Sequence, residues 1–136
     1  MLHLTKILNA RTGAPEPARI PLTAPVTVRY GTPVILAGGT ISVAGNAATA
    51  LPTHLILADA TNAREVLATP ITEEMIFEVR LSVAPTAMTL GTEYLLSADG
   101  DGLSATAATS GKRGATLIDK TGAHAAGDTV LVAFRN

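Results

Sequence analysis

The chain has no cysteine, so any chemistry must come from carboxylates, imidazoles, hydroxyls and amines. Asp99-Gly100-Asp101-Gly102 spaces two carboxylates as the start of a calcium loop does. Such a loop places oxygen ligands at positions 1, 3, 5 and 12 and a glycine at position 6. Counted from Asp99, positions 5, 6 and 12 hold Leu103, Ser104 and Ser110, so the stretch reads as a hairpin turn. Glu73 and Glu74 are adjacent, and neighbouring residues of a strand face opposite ways, so the pair cannot share a substrate atom. Ser110-Gly111-Lys112-Arg113-Gly114 has the Gly-Lys pair of a phosphate loop. The glycine required five residues earlier is Thr106, and Arg113 stands where Ser or Thr belongs, so this is a basic turn. Gly38-Gly39 lacks the strand–turn–helix setting of a dinucleotide site. His3, His54 and His124 show no ligand spacing, and no G-x-S-x-G elbow supports a triad of His124 with Asp119 or Asp128. The residues therefore point to a protein that is not an enzyme, takes no metal or cofactor, and works by binding.

Composition narrows what it binds. Tyr30, Phe77, Tyr94 and Phe134 are the only aromatics, and the two Phe fall at core-facing strand positions. A single-strand nucleic-acid binder needs exposed stacking platforms along a basic groove, so no nucleic-acid partner is expected. Net charge is −1 over 136 residues. Residues 1–30 hold Lys6, Arg11, Arg19 and Arg29 against Glu16, a net +3, which leaves −4 for the remainder. Mean hydropathy is +0.34, yet apolar runs such as Val130-Leu131-Val132-Ala133-Phe134 are far short of the about 20 residues a membrane helix needs. The N-terminus has no secretory signal pattern, and the lack of cysteine suits synthesis in a reducing cytoplasm. No membrane partner is expected.

Proline and glycine mark the elements. Pro15, Pro17, Pro21 and Pro25 fall within eleven residues, and proline both lacks a donor and pushes the preceding residue to extended backbone. Residues 1–25 are expected to form an extended arm, and residues 26–136 one domain. Leu2, Leu4, Ile7, Leu8, Arg11 and Arg19 are the arm's expected partner-binding residues. A short strand near its tip would add to an edge of this domain or of a neighbour.

Beyond residue 25, short alternating runs lie between turn signals at Gly38-Gly39, Gly45-Asn46, Asp99-Gly100 and Thr121-Gly122. Met75, Phe77, Val79 and Leu81 share one face against Ile76, Glu78 and Arg80, the period of a half-buried strand. His54 to Ala58 reads as a strand buried on both faces. Ala60 to Leu67 lacks a clean apolar stripe and reads as a loop. The expected class is all-β: a small barrel, tulip-like domain or sandwich with an extended N-terminal arm.

Four stretches carry a family resemblance. They are Gly31-Thr32-Pro33-Val34-Ile35-Leu36, Pro70 through Val79 with its Glu74-Met75-Ile76-Phe77-Glu78 strand, Ala98 through Thr106, and Gly127 through Phe134. In this order they resemble the decoration, or cement, proteins of tailed-bacteriophage heads. The resemblance covers most of residues 31–135 and transfers no catalytic residue. It implies a compact β-domain on the outside of an assembled head, often a trimer, that clamps neighbouring major capsid protein subunits. Localisation would then be the virion exterior, after synthesis in the host bacterial cytoplasm. The alternative function is a carbohydrate-binding or adhesin-like β-module of a phage fibre or cell surface, which requires exposed aromatics.

Overall fold

The computed structural model describes residues 2–7 and 16–136, and every regular element in it is a β-strand. In chain order these are β1 (His3–Ile7), β2 (Ala18–Val28), β3 (Pro33–Ala37), β4 (Thr40–Val43), β5 (His54–Ile56) and β6 (Ala60–Pro70). They continue with β7 (Met75–Leu81), β8 (Glu93–Leu96), β9 (Gly102–Ala107), β10 (Ala115–Asp119) and β11 (Thr129–Ala133). The all-β expectation holds, and the strands divide into two sheets, each curled toward a barrel.

The first sheet closes on itself. β7 pairs with β11, β11 with β10, β10 with β8 and β8 with β9, all antiparallel. β9 then returns to β7 in a parallel pairing, Arg80 opposite Gly102 and Leu81 opposite Leu103. Closure removes the bare edges that an open sheet exposes. Met75, Phe77, Val79 and Leu81 point inward, as their alternation predicts, and all are buried. Phe77 and Phe134 meet at the centre with ring centroids 5.6 Å apart and planes tilted by 59°. The rest of this core is mostly aliphatic: Leu96, Leu103, Leu117, Val130 and Val132. Each such side chain contributes about 1.5–3 kcal/mol by leaving water.

The second sheet runs β2-β6-β5-β3-β4, antiparallel throughout. Gly38 and Gly39 make the β3–β4 turn at φ of 59° and 77°, the left-handed pair that a tight hairpin demands. Thr23 N donates to Gly39 O at 2.9 Å, which draws the two outer strands together. Val34, Ile56, Val66 and Ala68 fill a separate small core. Gly45-Asn46 turns the chain but opens a loop that reaches His54, not a second hairpin.

The two lobes touch through Leu55 of β5, which packs into the barrel core, and at the turn that joins β8 to β9. A Cβ on Gly45 would overlap the Ala98 carbonyl, and one on Gly100 would lie 3.1 Å from Pro33 Cδ and 3.2 Å from Val43 Cγ1. Arg113 N also donates to Ala48 O at 2.8 Å.

Two expectations differ from the observed layout. The boundary between residues 25 and 26 falls inside β2, so residues 18–25 belong to the second sheet. Pro21 and Pro25 are tolerated there because β2 is an outer strand and its register slips between Pro21 and Val26. Ala60 to Leu67, expected as a loop, forms most of β6. Asn62 breaks the pattern at φ 48°, and clean burial begins only at Val66 and Ala68, so the first half has no apolar stripe to read.

Candidate functional site

Of the expected partner-binding residues, Leu2 and Arg19 lie at different places: Leu2 in the barrel core and Arg19 exposed on the second sheet. β1 lies antiparallel on β7, with His3 opposite Glu78, Leu4 opposite Phe77 and Ile7 opposite Met75. Leu2 is 0% exposed and part of the barrel core, and its N–H donates to Gly31 O at 2.9 Å. A fully buried side chain is no contact point for a partner while β1 stays in place. Arg19 sits on the other sheet, exposed, with Nη1 3.3 Å from Glu65 Oε1. At that exposure the pair is worth less than about 1 kcal/mol. Leu8 and Arg11 lie outside the described residues.

The edge of β7 is shared. β9 covers it at Arg80 and Leu81, and β1 covers it from Met75 to Glu78. Sequence alternation alone shows the inward face of β7 but not its edge, so this division was not legible before the pairing was known.

A second feature is a cleft of about 640 Å³ between the lobes. Arg29, Tyr30, Thr32, Val43 and Asp59 of the second lobe line it together with Asp99 and Asp101 of the β8–β9 turn. Tyr30 is 39% exposed and Val43 40%, so the cleft carries an accessible ring beside carboxylates. Two of those carboxylates hold backbone. Asp59 Oδ1 accepts from Tyr30 N at 2.7 Å, and Asp99 Oδ1 accepts from Asp101 N at 3.1 Å and Ser97 Oγ at 2.7 Å. The aspartyl-glycine stretch is therefore the hairpin turn its sequence indicated. Among the described residues, no group of three or more His, Cys, Asp or Glu is placed to hold a metal ion.

The three histidines fall in separate elements: β1, β5 and the β10–β11 connection. His54 Nδ1 lies 2.9 Å from Thr53 Oγ1, and burial pushes its pKa down. Asp128 Oδ2 accepts from the main-chain N–H of His124 at 2.9 Å and of Ala125 at 3.0 Å. Those bonds hold the Asp128 carboxyl below its usual range and spend it on shaping the loop. Asp119 is likewise held low, chiefly by the Thr121 hydroxyl and then by Thr121 N–H. Glu73 accepts from Asn136 N at 3.0 Å and so tethers the last residue. No helix among the described residues is long and apolar enough to cross a membrane.

Sequence reasoning missed one hub. Arg113, read only as part of a basic turn, donates to Glu93 Oε1, Arg135 O and Asn136 Oδ1. Its partners lie 20–23 residues away, beyond any motif spacing. No family model matches the chain, and no curated protein matches it significantly.

Proposed function

We propose that this chain is a decoration protein of tailed-bacteriophage heads, which binds the outer capsid surface and bridges major capsid protein subunits. The observation that carries this reading is spatial. Three of the four resemblant stretches lie on strands that touch, since β7 is flanked by both β11 and β9. That these stretches belong to neighbouring strands of one barrel supports the reading. The aliphatic core and the short tight turns fit a protein whose tool is its surface. Contacts that are weak singly become durable when many copies sit on one shell, through effective concentration. A homo-oligomer, as a trimer, on the virion exterior is the corresponding arrangement.

Co-sedimentation tests it. Purified chain should pellet with phage heads that lack their decoration protein and remain in the supernatant without heads. Chain that stays soluble beside both unexpanded and expanded heads would remove the reading.

The interlobe cleft supports a second reading, a carbohydrate-binding module. Tyr30 offers an exposed ring, and Asp59, Asp99 and Arg29 offer polar groups around it. A glycan array tests this: selective glycan capture, abolished by Tyr30→Ala, would favour it, and a blank array would dismiss it.

A further inference from the structure

We propose that β1 is an exchangeable strand, which leaves the edge of its own β7 and fills the same edge of a second copy of this chain. The inference stands apart from the capsid reading, because it concerns only contacts between copies.

Three observations carry it. First, the barrel closes without β1: the cycle β7-β11-β10-β8-β9 returns to β7 through Arg80 and Leu81. Removing β1 therefore opens no other strand pairing. Second, its departure would bare the main-chain groups of Met75 to Glu78 and vacate the core place of Leu2, which is 0% exposed. A bare edge beside an apolar socket is a template for a strand of fitting sequence. The chain's own residues 2–7 fit it in sequence and register. Third, β1 is the first strand, and residues 8–17 join it to β2. Ten residues reach at most about 33–36 Å.

The same pairs, His3 with Glu78 and Ile7 with Met75, form whether β1 comes from the same chain or another. Closed and exchanged forms then differ in the link alone, so protein concentration decides between them. The register slip between Leu4 and Lys6 gives β1 an irregular ladder, which lowers the cost of peeling it away relative to opening the barrel.

The absence of cysteine makes the test clean. His3→Cys and Glu78→Cys are made as two single variants and as one double variant, in the full-length chain. The double variant should form its disulfide within one chain when oxidised at low concentration, which verifies the register. The two single variants, mixed under native conditions and then oxidised, should shift from monomer to a covalent dimer. Peptide mapping should show residue 3 of one chain bonded to residue 78 of the other, in a yield that rises with concentration. If the double variant closes and the mixed variants give no 3–78 product at any concentration, exchange does not occur. If the double variant does not close, β1 does not occupy this edge, and the proposal also fails.

Discussion

The Arg113 guanidinium meets the Glu93 carboxylate with Nε 3.0 Å from Oε1, and this contact ties the end of the chain to the barrel. The same Glu93 oxygen accepts from Gly114 N at 2.6 Å, while Arg113 Nη2 donates to Arg135 O at 2.9 Å. Both side chains are about three-quarters buried, with 28% and 25% exposed. Water therefore competes poorly, and a planar fork serves three acceptors that a lysine could not reach together.

Replacing Arg113 should accordingly cost more than removing a surface charge. Arg113→Ala is expected to destabilise the fold by about 1.5–3 kcal/mol, the range for hydrogen bonds to charged groups. Arg113→Lys should recover only part. Urea unfolding of the three proteins checks this through the shift in midpoint at constant slope. Equal midpoints for all three would show the network to be idle.

Leu2→Ala tests whether this residue is core. A fully buried leucine cut to alanine costs about 2–5 kcal/mol. The same substitution at exposed Leu90, which is 53% accessible, should shift the midpoint little. Comparable effects at the two sites would contradict the burial of Leu2.

Gly45→Ala should be unfavourable although alanine is small. Its Cβ meets the Ala98 carbonyl, which is backbone and cannot rotate away. Overpacking of this kind costs about 1–3 kcal/mol. The expected signature is a lower thermal midpoint with loosened contact between Gly45 and the β8–β9 turn, visible as faster amide exchange at Ala98 to Gly102. An unchanged exchange pattern would mean that the lobes do not meet there.

Acid should weaken the fold in two stages. Burial lowers the His54 pKa from the ordinary value of 6.5, so the unfolded chain takes up that proton first. The stability this gives is complete above the ordinary value, falls as pH drops beneath it, and levels off below the folded-state pKa. Asp119 and Asp128 are held low by hydrogen bonds. Their contribution is present above the usual carboxylate range, about pH 4, and is lost as pH falls through the folded values. His54→Gln should erase the first stage only, and Asp128→Asn should diminish the second. Unfolding midpoints across pH 3–8 read both.

Much of the barrel was legible before the structure, because it depends on local rules. The alternation Met75, Phe77, Val79, Leu81 follows from strand geometry, and Gly38-Gly39 follows from turn geometry. What escaped was set by distant partners. β6 looked like a loop because its first half packs through main chain while its side chains stay in water. The stretch around Pro21 and Pro25 looked like an arm because nothing local shows that β2 has a partner 32–50 residues on. The cleft was equally hidden: Tyr30 and Asp59 are close only because β2 and β6 pair. Of the residues expected to bind a partner, Leu2 is fully buried. Its socket is the barrel of its own chain.

The most direct test of the decoration reading is cryo-electron microscopy of phage heads that lack the protein, imaged with and without added chain. The account predicts extra density of about 14 kDa per copy on the outer surface, bridging adjacent capsid subunits and fitted by the closed barrel. Identical maps, or density confined to the interior or the tail, would contradict it.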